Sequence, residues 1–157
     1  MILGISFRPP DFNKDLCEKE TIAFQLLSDE DRAVIKRYGV FNAQDNCAQR
    51  VSVLVDKEGV VRAIDREVKP ATHGQDLVKL AKLWLLGKQR YQAACARCHG
   101  PDGGDTQGYP NIKSLKGIGN RYSESEILER TAATGVVDLA AWSEEARQAL
   151  AKYVKGL

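Results

Sequence analysis

A chain of 157 residues is long enough for one ordinary domain or two small ones. Its 43% apolar and 28% charged residues match a soluble globular protein, and no run approaches the roughly 18 apolar residues of a membrane span. A net charge of +2, from 23 basic and 21 acidic side chains, gives no large one-signed field, which argues against nucleic acid or anionic lipid as partner.

In chain order, residues 1 to about 75 alternate short β-like runs with helical ones: "ILGISF", "DFNKDLCEKE", "AFQLL", "DEDRAVIKRYGV" and "RVSVLVDKEGVVRAID". The pattern predicts β-α-β-α-β-β, hence a sheet core covered by helices. In the last run Val51, Val53 and Val55 alternate with Ser52 and Leu54, and Asp56 to Gly59 supply a tight turn, so it is a hairpin. The loop Arg66 to Gly74, punctuated by Pro70 and Gly74, ends this half. From about residue 75 the periodicity is helical throughout. "QDLVKLAKLWLLGKQRYQAACARC" is a helical run with a break or bend expected near Gly87. "SESEILERTAA" opens with a capping box, Ser123 followed by Glu126. "SEEARQALAKYVKGL" is an amphipathic helix with Ala146, Leu150, Tyr153, Val154 and Leu157 on one face. The glycine-rich segment "GPDGGDTQGYPNIKSLKGIGNRY" is too long for a plain connection in so small a domain, unless a cofactor holds it. The expected organisation is an α/β domain over 1–75, a linker or helix start over 76–83, and an all-α domain over 84–157.

The chemistry concentrates in Cys95-Ala96-Arg97-Cys98-His99. A Cys-x-x-Cys pair followed by His serves a thiol redox centre, a zinc site or covalent haem attachment. Zinc needs further donors at workable spacing, and Cys17, Cys47 and His73 are scattered singly over the other half. A redox dithiol usually opens the helix after a strand, whereas this pair ends a helix and precedes a glycine-rich loop. Haem accounts for the motif, the helices and the oversized loop together: two sulfurs bond the porphyrin and His99 faces the iron.

The second half resembles a class I cytochrome c, through "GKQRYQAACARCHG", "GYPNI", "GIGNRYSESEILER" and "ALAKYVKGL". The resemblance implies a covalent haem c on Cys95 and Cys98, His99 as iron ligand, and the Pro110 carbonyl as acceptor for the His99 N–H. It also implies a crossing of first and last helices at Gly87, Tyr91, Leu150 and Tyr153. Arg121, Asn120 and Trp142 become candidates to meet the haem propionates or cover the ring edge. The family's second iron ligand, a methionine, is expected in "TGVVDLAAWSEE", where Val137 or Leu139 stands instead; the chain's single methionine is Met1. The sixth position is then vacant, taken by water, or taken by a donor such as Lys, Asn or His73, and the potential is expected to be low.

The first half resembles the later two-thirds of a peroxiredoxin of the bacterioferritin-comigratory type, a thioredoxin-like fold in truncated form. Arg50, in "QRVSVLVD", matches the arginine beside the peroxidatic thiolate. The nucleophilic cysteine's own motif would precede Met1, and neither Cys17, expected in a helix, nor Cys47, in a polar loop, has its neighbourhood. Cys17 is expected as packing, Cys47 as packing or a resolving thiol, and His73 as a loop histidine. The resemblances together imply a redoxin to cytochrome c fusion that exchanges electrons with a redox protein. Peroxide is a substrate only with an upstream thiol or an open haem, and a haem-based ligand-binding module is the third reading. Because haem c is attached outside the cytoplasm, a periplasmic or other extracytoplasmic location is expected; "ILGISF" carries no export signal, so a leader or a longer protein is expected upstream.

Overall fold

The computed structural model describes residues 1–104, 108–109 and 111–157, which form two compact units. The first comprises Met1–Ser52 with Asp65–Val68, the second Val53–Ile64 with Lys69–Leu157.

The first unit opens with a strand-helix-strand crossover. Strand β1 (Leu3–Ser6) pairs in parallel with β2 (Gln25–Ser28), joined by helix α1 (Pro10–Lys19). Pro10 opens α1, where a missing N–H costs nothing, and Asp11 and Lys19 lie at the ends that the helix dipole favours. The register sets Leu3 against Gln25 and Ile5 against Leu27, so Leu3, Ile5 and Leu27 share one face. Asn13 of α1 donates to Ser28 Oγ at 3.0 Å, which puts the helix on the opposite face. Helix α2 (Ala33–Arg37) is capped by Asp29, whose carboxylate accepts from the Val34 and Ile35 amides at 3.0 and 2.9 Å. Strands β3 (Phe41–Asn42) and β4 (Cys47–Ala48) form a two-residue antiparallel ladder that hydrophobic alternation could not reveal.

The expected sheet core takes the form of three two-stranded pieces, β1-β2, β3-β4 and the hairpin β5 (Ser52–Val55) with β6 (Val61–Asp65). The physical reason lies in the hairpin, whose Leu54 packs against the helical core of the second unit. At its turn, Asp56 accepts from the Val60 and Glu58 amides, and Arg62 Nε meets Asp56 Oδ2 at 2.7 Å with both side chains largely buried. Arg62 also donates to the Gly156 carbonyl at 3.4 Å.

Helix α3 (His73–Ala94) runs through Gly87 without interruption, so the chain does not break there. Gly87 is instead where α3 meets α6 (Glu144–Lys155): a Cβ at Gly87 would collide with the Ala149 carbonyl and lie 2.7 Å from Tyr153 Cβ. Two backbones this close require glycine. The single turn α4 (Ala96–His99), a 3-10 turn at Ile118–Asn120, α5 (Glu124–Ala133) and a second 3-10 turn at Leu139–Ala141 complete the unit. The capping box of α5 forms as predicted, Glu126 N–H to Ser123 Oγ and Ser123 N–H to Glu126 Oε2. Trp84, Tyr91, Ile127, Leu139, Leu150, Tyr153 and Val154 are the core. Among the described residues no helix is long and apolar enough to cross a membrane.

Candidate functional site

The site is built where α3 ends. Cys95 closes α3 and caps α4, its amide bonded to the Tyr91 carbonyl at 2.8 Å; the Cys98 and His99 amides both return to the Cys95 carbonyl, at 3.1 and 3.0 Å. This single turn sets the two sulfurs three residues apart on one helical side. Gly100 then reverses the chain at φ +73°, and the fully buried Tyr91 hydroxyl donates to its carbonyl at 2.7 Å, fixing the turn to the α3–α6 core.

The glycine-rich segment folds back on itself. The Leu115 amide donates to the Gly103 carbonyl at 2.7 Å and Ser114 Oγ reaches the same oxygen at 3.1 Å. Gly103 sits at φ +77°, a left-handed conformation that favours glycine, with a Cβ position 3.2 Å from Leu115 Cβ. Closure brings the Lys113 carbonyl to 3.1 Å from His99 Nδ1. A carbonyl only accepts; Nδ1 therefore carries the proton, and Nε2 keeps its lone pair for a metal.

Burial pushes the Cys95 thiol up to about 11, with the neighbouring Cys98 adding to it. A thiol so reluctant to ionise is the opposite of an activated redox nucleophile. Among the described residues no group of three His, Cys, Asp or Glu gathers to hold a metal ion by itself. Two free cysteines and an oriented histidine on one turn fit a haem, which needs two thiols for attachment and one imidazole nitrogen for iron.

The other sequence-derived candidates fall in several places. Arg121 is exposed at the end of the 3-10 turn, its guanidinium 6.0 Å from the Tyr122 ring centroid, and Asn120 beside it is exposed too. Trp142 is half-buried with Arg90 4.9 Å over its ring. Pro110 lies outside the described residues. His73 begins α3, a full 22-residue helix away from the cysteines. Arg50 is exposed ahead of β5 in the first unit, where Cys17 Sγ lies 3.9 Å from the Phe24 carbonyl and Cys47 is half-buried on β4. The structure thus joins Cys95, Cys98 and His99 in one turn. Two contributors escaped the sequence reading, the Lys113 carbonyl and the Tyr91 hydroxyl; only the spacing of Tyr91 four residues before Cys95 hinted at the second.

Comparison with known proteins divides the chain similarly. Residues 1–64 match the AhpC/TSA family, and residues 83–154 match the family described as cytochrome C oxidase, cbb3-type, subunit III. Peroxiredoxin Bcp of Escherichia coli K12 is 32% identical over 78 residues, 46% of this chain and 50% of that protein. A putative peroxiredoxin bcp of Coxiella burnetii is 32% identical over 84 residues, 50% of this chain and 56% of the relative. Alkyl hydroperoxide reductase E of Mycobacterium tuberculosis is 40% identical over 62 residues, 38% and 40% of the two chains. The chain spans about half the length of the curated relatives it matches. No solved structure matches it.

Proposed function

On the premise that this chain fuses a redoxin segment to a cytochrome c segment, we propose that it is an electron carrier which holds a haem c covalently on Cys95 and Cys98 and ligates its iron through His99. The observation that carries this is the His99 Nδ1 contact with the Lys113 carbonyl, which leaves Nε2 as a metal donor on the same turn as two free thiols. Bound there, the group supplies a one-electron iron couple. The chain's own residues do the rest. Tyr91 and Gly103 hold the turn and the glycine-rich loop together, and the Lys113 carbonyl fixes the imidazole and raises its basicity. Arg121, an exposed cation, is the candidate partner for anionic propionates, and the Pro110 carbonyl, outside the described residues, is the acceptor that the cytochrome resemblance implies for His99. The electron donor and acceptor are redox proteins, and maturation of a haem c places the chain in the periplasm or another extracytoplasmic compartment. By sequence the redoxin-like segment is taken as 1–75 and the haem segment as 84–157, with 76–83 between them in α3.

Intact-mass spectrometry of protein matured in an oxidising compartment tests the reading. A gain of one haem is expected, lost in a Cys95→Ala, Cys98→Ala variant. An unchanged mass with both thiols open to alkylation sinks it.

Peroxide reduction is the second reading, favoured by the likeness of residues 1–64 to peroxiredoxins and by the exposed Arg50. Arg50 has a catalytic role only beside a peroxidatic thiolate supplied from outside these residues. Peroxide consumption lost on Arg50→Ala would support it.

A further inference from the structure

Resting on the haem reading above, the remaining question is what the chain offers the iron opposite His99. Carriers of this kind take a second nitrogen or sulfur donor. The chain holds two histidines and one methionine, and in the second unit Cys95 and Cys98 are the only sulfur-bearing residues. His73 is the first residue of α3 and Ala94 its last. At the helical rise per residue the two lie about 30 Å apart, so an imidazole at that end cannot reach a metal held by His99.

The segment between α5 and α6, where the cytochrome resemblance implies a methionine, presents carbon. Val137 is half-buried against the core and Leu139 is 6% exposed within it. The segment's polar side chains are engaged with nearby backbone. Thr134 Oγ1 donates to the Thr131 carbonyl at 2.7 Å, Asp138 accepts from the Ala140 amide at 3.1 Å, and Ser143 accepts from the Ala146 amide at 3.3 Å. Lys116 is ion-paired with Asp102 at 2.7 Å, and a charged ammonium has no lone pair to give.

We infer that, with no further histidine or methionine in reach among the described residues of this unit, the position opposite His99 takes a small neutral diatomic ligand, the Val137–Leu139 segment, where the cytochrome resemblance implies a donor, being aliphatic. The second unit is then a ligand-binding haem module as well as a carrier.

The test uses the full chain after haem attachment has been verified by mass and by the pyridine haemochrome. No attachment overturns both the carrier reading and this inference. With haem attached and reduced by dithionite at neutral pH, a five-coordinate high-spin spectrum that converts in one step on carbon monoxide titration is expected. A six-coordinate low-spin spectrum unmoved by carbon monoxide overturns the inference and leaves the carrier reading standing. His73→Ala should change neither spectrum nor carbon monoxide affinity; a low-spin parent made high-spin by it identifies His73 as the ligand and overturns the inference. Val137→Met and Leu139→Met each place a thioether in the segment, and one of them is expected to weaken carbon monoxide binding about tenfold or more. Unchanged affinity in both loaded variants overturns the role given to this segment.

Discussion

Tyr91 does two jobs with one side chain: its ring packs tilted against Tyr153 at 5.3 Å, and its hydroxyl closes the Gly100 turn. Burial, and after it the neighbouring Cys95, Tyr153 and Asp102, push its pKa well above the usual phenol range, so it remains a donor at any working pH. Tyr91→Phe should lower stability by about 1 kcal/mol, the net worth of a buried hydrogen bond, read as a lower thermal midpoint. Gly87→Ala should cost more. The new methyl meets an immobile carbonyl, and overpacking of this sort costs about 1–3 kcal/mol, measurable by urea unfolding. Asp102 offers a pH handle. Its bonds to Lys116 and the Gly104 amide hold its carboxyl below the ordinary 3.8. A depressed folded-state value adds stability above the unfolded pKa, lost as pH falls through the folded one; Asp102→Asn should therefore flatten the acid limb of the stability curve below about pH 4 and leave the neutral plateau's slope unchanged. The cysteines and His99 were legible because their chemistry is written in adjacent letters. The Lys113 carbonyl was not, since every residue has one and only loop closure selects it.

The elements most legible in sequence were those whose signals are local: the capping box at Ser123 and Glu126, the Asp56–Gly59 turn, and the apolar stripe of α6. The β3-β4 ladder escaped because two residues per strand carry no periodicity. The fate of the β5-β6 hairpin escaped for a different reason. Alternation shows that a strand has an apolar side, but not what will cover it, and here Leu54 joins the helical core while Arg62 lies 5.9 Å from the Trp84 ring centroid. Arg62→Ala removes the cation beside a carboxylate whose side chain is 2% exposed. An unpaired buried anion is destabilising, so hydrogen exchange over residues 53–64 should accelerate, while exposed Arg66→Ala leaves it unchanged. Equal exchange in the two variants would show the ion pair to be ornamental.

At the scale of the molecule the two units differ in how well they cover their apolar surface. The second has a contiguous core; the first leaves Leu3, Ile5 and Leu27 exposed by 44–45% on one sheet face and Ile2 by 67% beside them. A groove of about 460 Å³ lined by Met1, Ile2, Leu3, Ala23, Phe24 and Gln25 adjoins that face. Apolar patches of this kind bind hydrophobic dyes and promote association, so the chain should enhance ANS fluorescence, and Ile5→Lys with Leu27→Lys should abolish most of the signal. The second unit also includes the hairpin and all of α3, beyond the 83–154 cytochrome match. A fragment over 53–157 should therefore melt higher than one over 83–157.

That last feature bears on how such chains arise. The stretch 53–64 falls in the AhpC/TSA match but packs within the second unit. A recombination event that cut at the border drawn by descent would deliver a cytochrome stripped of Leu54 and Arg62, with the Trp84 side of its core newly wetted. The border between the two family matches therefore does not coincide with the border between the two folded units, and any exchange of the helical segment has to carry residues 53–64 with it.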